Sequence, residues 1–226
     1  MPGGQSYDRD VAGRATSAPG AIASALRDDL LDGALAPGTR LTEESLSARF
    51  GTGRHTIRSG LQLLVSEGLL IHERNKGIVV PAVTEQRVDA MCSYRLILEM
   101  GALRLALAAG ADFDDTERAV ERLESLTEDT PWRHVIEAHS AVHRAIVEAS
   151  GNDRLVAAHR SCQDELNVML ATIRGDFSAR RLAILHRDLL GQLRIGGDVA
   201  LRALETDLEL GGRAGMLLAL QRRRLA

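Results

Sequence analysis

TEESLSARFGTGRHTIRSGLQLLVSEGLL, residues 42–70, is the stretch on which the fold of the N-terminal part turns. Thr42 is a good N-cap, and Glu43 and Glu44 follow it in the first turn, where acidic side chains complement the positive end of a helix. That helix runs through Phe50. Gly51-Thr52-Gly53 is a tight turn. The next helix spans about 54–66, with Ile57, Leu61, Leu64 and Val65 on its inner side, and Gly68 stops it.

Outward from this pair, Ile22, Ala25, Leu26, Leu30 and Leu31 recur at helical spacing from Ala21, and Gly33 closes that helix. Pro37-Gly38 forms a turn, and Arg40-Leu41 suits a very short strand. Downstream, Leu69–His72 and Ile78–Val80 are apolar strands joined by Glu73-Arg74-Asn75-Lys76-Gly77, which reads as a hairpin. Helix, helix, turn, helix, hairpin is the order of a winged helix-turn-helix, whose last helix enters the major groove and reads bases with its first residues. Here those residues are Arg54, His55, Thr56 and Arg58. Arginine holds guanine or clamps phosphate, and a threonine hydroxyl donates to phosphate. Lys76, the only lysine of the chain, sits at the wing tip beside Gly77, where it can reach a phosphate while glycine permits close backbone approach. Residues 21–83 hold seven Lys/Arg and seven Asp/Glu, so DNA binding would rest on placement rather than net charge.

The expected organisation is a flexible Gly/Ser/Pro-rich tail over 1–18, the winged unit over 19–81, a linker over 82–85, and a helical domain over 86–226. The fold class is therefore mainly α, a winged helix-turn-helix followed by an all-helical bundle that binds ligand. Helices are expected near 86–109, 114–127, 132–150, 154–173, 177–194 and 198–222. Of the 226 residues 45% are hydrophobic but only 3% aromatic, which suits helices packed through Leu, Ala, Val and Ile. No apolar run approaches the ~18 residues of a membrane span. The N-terminus carries charges without a hydrophobic segment, and two cysteines suit a reducing compartment, so a cytoplasmic protein is expected.

His139 and His143 stand four apart and share a helical face. Alone, such a pair is more often packed or solvated than metal-bound. His186 lies in the middle of a later helix and Asp207 on the last one. Three imidazoles with one carboxylate suit a divalent metal ion, zinc or nickel foremost. Arg95 offers a fixed fork to a carboxylate ligand, or pairs with Glu99 at i,i+4. His134 and His159 read as surface residues, Cys92 as core, and Asn152 as a cap.

The winged segment resembles the GntR family of bacterial regulators. The resemblance rests on Ala36–Leu41, Glu44–Gly51, Arg54–Arg58, Leu64–Leu69 and Asn75–Gly77. It implies that Arg54, His55, Thr56 and Arg58 contact DNA together with the wing. Residues 86–220 resemble the FCD ligand-binding domain of FadR-type GntR regulators, through Arg95–Glu99, His139–His143, Ala149–Asn152, Leu185-His186, Gly197-Asp198 and Ala203–Leu208. Metal-binding members carry Asp at the place of His139 and His at the places of His143, His186 and Asp207. The swap of His for Asp and Asp for His keeps the ligand set, with Glu209 as a rival to Asp207. Arg95 matches an arginine that points into the effector cavity. These likenesses imply a non-enzymatic regulator, a homodimer on near-palindromic operator DNA, controlled by a small effector, a carboxylate, bound near the metal. Two rivals stand beside it. One is a metalloenzyme fused to a DNA-binding unit, against which His139-Ser140-Ala141-Val142-His143 has no Glu beside the first His to serve as base. The other is a regulator whose metal is purely structural.

Overall fold

A computed structural model describes residues 17–172 and 177–225, so the expected tail lies almost wholly outside the described residues. Two compact units divide the chain, Met1–Ala82 and Val83–Ala226.

The first unit opens with α1 (Ala18–Leu31), which begins earlier than its apolar spacing predicts. Ser17 Oγ accepts the Gly20 N–H at 3.1 Å and Pro19 occupies the first turn, both favourable starts. Strand β1 (Arg40–Leu41) leads to α2 (Glu43–Phe50), capped by Thr42 Oγ1 on the Ser45 N–H at 3.2 Å. Gly51 then takes φ 62°, the left-handed turn that side chains resist and that aims the chain into α3 (Arg54–Ser66). Ile57, Leu61 and Leu64 of α3 pack with Leu26 and Leu30 of α1, all at 2% exposure or less. The two helices approach closely at Gly60. A Cβ there would stand 3.0 Å from both Ile22 Cγ2 and the Pro19 carbonyl oxygen. β2 (Ile71–Glu73) and β3 (Gly77–Val79) form the wing, and β3 lies between β1 and β2 in an antiparallel sheet. β1 has its expected bounds, and the two wing strands sit one or two residues away from theirs.

The second unit is all helical among the described residues. It contains α4 (Glu85–Ala108), α5 (Asp114–Glu124), α6 (Trp132–Glu148), α7 (Asp153–Thr172) and α8 (Ala179–Ile195). Asn152 caps α7 as expected, its Oδ1 accepting the Arg154 and Leu155 N–H groups at 3.0 and 3.2 Å. The single last helix expected over 198–222 is instead α9 (Gly197–Thr206), a π-helical stretch (Asp207–Ala214), and α10 (Gly215–Leu225). The wider turn re-aims the residues it contains, and Asp207 is the first of them.

Two apolar clusters fill this unit. The larger gathers Leu103, Val120, Val142, Ile146, Leu190 and Leu204. The smaller holds Val88, Cys92, Cys162, Leu166 and Met216, which places Cys92 in the core. Along α4 the polar Arg95 and Glu99 fall between the residues serving one cluster and those serving the other. Buried beside the apolar groups are also Ser140, His143, His159, Asn167 and His186. So many polar side chains in one interior must satisfy each other, since an unpaired buried group is costly.

Candidate functional site

The first turn of α3 presents Arg54, His55 and Arg58 to solvent, with Thr56 half-buried and Ile57 fully inside. Gly53 supplies no side-chain cap, so the helix start keeps backbone N–H groups available to an anion. Arg58 is held by α2: its Nε donates to Glu43 Oε1 at 2.7 Å and Nη2 to Oε2 at 3.0 Å. This pairing lowers the Glu43 carboxyl and raises the Arg58 guanidinium relative to their ordinary values. At the wing, Lys76 Nζ lies 2.6 Å from Glu73 Oε1 while both stay largely exposed, and Gly77 has φ 82°. Two of the three Arg and Lys side chains named for DNA contact, Arg58 and Lys76, thus already rest on acidic neighbours, which a phosphate or base would have to displace.

In the helical unit, α6 carries His139 and His143 one turn apart, and α8 brings His186 against them. The three rings stand mutually edge-on, with centroids 4.8–5.3 Å apart. One nitrogen from each lies within 4.8 Å of the others. Their protons can be placed from their partners. His143 Nδ1 is 2.9 Å from Glu99 Oε2, a fully buried carboxylate, so Nδ1 carries the hydrogen and donates it. His186 Nδ1 is 2.7 Å from the Leu182 carbonyl oxygen and must donate as well. Each neutral ring then has its lone pair on Nε2, and those two Nε2 atoms face each other at 3.3 Å. Two lone pairs at that distance repel unless an electrophile sits between them. Burial, with the neighbouring imidazoles adding to it, pushes His139 well below the usual histidine range. Burial also lowers His186, which disfavours a proton as that electrophile.

A divalent ion fits better. Zinc–nitrogen bonds of about 2.0–2.1 Å in tetrahedral geometry separate two ligand nitrogens by about 3.3–3.4 Å. Asp207 Oδ2, at the start of the π-helical stretch, is 3.6 Å from His143 Nε2 and lines the same cavity. Glu209 instead pairs with Arg213 at 3.3 Å, and Arg213 with Asp89 at 2.8 Å. Of the two rival carboxylates, Asp207 is the one beside the imidazoles.

Behind His143 lies a cluster of which spacing along the chain reveals only the Arg95–Glu99 pair. Glu99 receives Arg95 Nε at 2.8 Å and His159 Nε2 at 3.3 Å on one oxygen, and His143 on the other. Burial alone would raise this carboxyl. The Arg95 charge, then His143, outweigh that effect and hold it well below the ordinary value. His159, expected at the surface, is 1% exposed, because α7 turns it inward to share Glu99. Histidine is amphipathic enough that a helical pattern cannot tell an inward from an outward one. His134 is exposed as expected. Arg95 takes up its i,i+4 pairing with Glu99 and also faces the cavity, where its Nη2 has no hydrogen-bond partner among the described residues.

The enclosed cavity measures about 40 Å³. A wider groove of about 950 Å³ runs along the outer side of α8 past Ile184 and Ile195, but no buried polar group faces it.

Comparison with known proteins adds two matches. Residues 20–80 match the bacterial regulatory proteins of the gntR family, and residues 90–206 match the FCD domain. The HTH-type transcriptional regulator YdhC of Bacillus subtilis is 26% identical over 176 residues, 75% of this chain and 77% of its own. The gluconate operon transcriptional repressor of Bacillus licheniformis is 36% identical over 78 residues, 34% of this chain and 32% of its own. Among solved structures, a GntR transcriptional regulator from Rhodococcus sp. RHA1 superimposes with a TM-score of 0.75 at 24% identity, covering 89% of this chain and 98% of that one.

Proposed function

The chain belongs to the GntR family of bacterial transcription regulators, in the branch with an FCD domain, and from that premise we propose that its operator affinity is set by a divalent metal and a small carboxylate effector held in the helical unit. GntR regulators bind operator DNA through the winged unit and small molecules through the FCD domain. In our reading Arg54, His55, Thr56 and Arg58 enter the major groove, and Lys76 with Gly77 meets the flanking backbone. His139, His143, His186 and Asp207 hold the ion, zinc or nickel. When bound, such an ion supplies a Lewis-acidic point for an anionic oxygen. Glu99 keeps His143 in the tautomer whose Nε2 is free to ligate, as carboxylates commonly do behind ligating imidazoles. Arg95 directs a guanidinium nitrogen into the same cavity. A homodimer would present two such winged units to the two halves of a near-palindromic operator.

The single observation that carries the metal reading is the pair of facing lone pairs on His143 and His186 at 3.3 Å. What supports non-enzymatic action is that the matched families and the relatives are transcription regulators. The gluconate repressor's likeness covers about a third of this chain, so its effector does not transfer.

Elemental analysis of protein purified without chelator, with zinc and nickel titration of the stripped form, tests the site. One ion per chain is expected, lost in a His143→Ala, His186→Ala double variant. Stoichiometric metal in that double variant would place the ion elsewhere. Sedimentation of the free protein and of its complex with operator fragments holding one or two half-sites tests the dimer.

A further inference from the structure

We infer that the effector is a monocarboxylate with an unbranched or lightly branched apolar body, and that dicarboxylates and polyhydroxy acids are poor ligands. The inference rests on the reading of this cavity as a metal-assisted effector site and narrows the ligand class by charge and by the chemistry of the walls.

The charge argument comes first. With a divalent ion in place, the imidazoles that ligate it are neutral. The contacts of His159 have room for one ring hydrogen: its Nε2 faces Glu99, while its buried Nδ1 has no acceptor among the described residues for a second. Two positive charges from the ion and one from Arg95 then stand against one negative each from Glu99 and Asp207. One positive charge remains, which a single carboxylate neutralises. A second carboxylate would lie against the apolar rim, where no cationic side chain among the described residues lining the cavity meets it.

The walls agree. Among the described residues, the titratable side chains lining the cavity all belong to that group: Arg95, His139, His143, His186 and Asp207. Arg95 Nη2 is a buried donor awaiting an acceptor, which a carboxylate oxygen supplies. Apart from the Trp132 indole N–H, the remaining described side chains of the lining are apolar. Among them Trp132, Leu170 and Phe177 are partly exposed, and Leu185 is 41% exposed, so the approach from solvent is an apolar rim. The inner space is small, about 40 Å³. In this reading the carboxylate head sits against Arg95 and the ion, and the rest of the ligand lies along that rim. Hydroxyl groups there would find few partners among the described side chains. Methylene groups would bury, each strengthening binding by up to about fourfold.

Trp132 is the only tryptophan of the chain and lines the cavity, so its fluorescence reports occupancy directly. The experiment titrates zinc-loaded full-length protein with acetate, butyrate, hexanoate, adipate and gluconate at fixed pH and salt. We expect affinity to climb from acetate to hexanoate, and adipate and gluconate to bind at least tenfold more weakly than hexanoate. Arg95→Gln should lose most of the hexanoate affinity. Because Arg95 also pairs with Glu99 and that variant can fail to fold, Leu185→Asp serves beside it. Leu185 is exposed enough to be replaced, and the variant should keep acetate binding while losing the gain with chain length. Adipate or gluconate binding as tightly as hexanoate overturns the inference. So does a chain-length gain that survives in Leu185→Asp. Zinc content measured on the same preparation separates the failures. Zinc present with no monocarboxylate preference overturns this inference alone. Zinc absent overturns the underlying reading, and this inference with it.

Discussion

Arg58 shows how a single side chain can be both a recognition group and part of an internal ion pair. Its guanidinium is engaged on both oxygens of Glu43, yet the pair is solvent-facing, and exposed pairs are weakly held. A phosphate or a guanine edge competes directly with Glu43 for the same fork. Glu43→Gln should therefore raise operator affinity several-fold at low salt, and Arg58→Ala should lower it by about tenfold or more. Fluorescence anisotropy at two salt concentrations checks both. If Glu43→Gln leaves affinity unchanged, Arg58 is not waiting on that exchange. At this scale the sequence was legible where short range decides. The Thr42 and Asn152 caps and the inward Ile57 follow from their immediate neighbours. It was illegible at His159 and in the wider role of Glu99. Its partners His143 and His159 are 44 and 60 residues away, and no local pattern joins them to it.

Among the elements, the helices of both units were readable because their apolar periods are long, and the π-helical stretch was not. Gly211-Gly212 within a predicted helix is a trace of it, since glycines soften a helix, but tertiary placement decides the widened turn. Asp207 at its first position depends on that turn for its place beside His143. The buried imidazoles that α6 and α8 contribute give a pH prediction for metal-stripped protein. His139 and His186 titrate lower when folded than when unfolded. The unfolded chain therefore binds their protons first. Above about pH 6.5 they are neutral in both states and stability is flat in this respect; as pH falls below about 6.5 the folded helical unit loses stability. Glu99 acts in a lower window. Its contribution is present above the ordinary carboxylate value and is lost as pH drops through its depressed folded value. Melting of wild type and His139→Leu at pH 8, 7, 6 and 5 after chelation should show the wild type falling faster below 6.5. Parallel curves would mean that His139 titrates alike in both states. A second pair of variants tests packing. Gly60→Ala puts a methyl 3.0 Å from Ile22 and from a backbone oxygen, so it should destabilise by about 1–3 kcal/mol. Gly191→Ala in α8 meets nothing within 4 Å and should stabilise by about 0.5–1 kcal/mol through helix propensity.

For the whole molecule, the proposed DNA contacts all lie in one unit and the proposed metal ligands all in the other. A two-unit division follows from the change of pattern near residue 82. How one unit informs the other is not written in either, because coupling is a difference between states and not a property of one contact. Thermodynamics nevertheless fixes a relation that needs no pathway. If zinc changes operator affinity by some factor, operator must change zinc affinity by the same factor. For a regulator of this kind that factor should lie between about 5 and 150. The measurement closes a four-state cycle with full-length protein: operator affinity with stripped and with zinc-loaded protein, and zinc affinity by competition with a calibrated chelator, with and without saturating operator. Equal factors above about five place the metal within the switch. Factors of one on both sides make the metal a structural brace of the helical unit. In that case regulation falls to the ligand that meets Arg95. Unequal factors would show that zinc also acts at another place, such as the exposed His55 and His72, and the His143→Ala, His186→Ala variant should then retain whatever zinc effect remains.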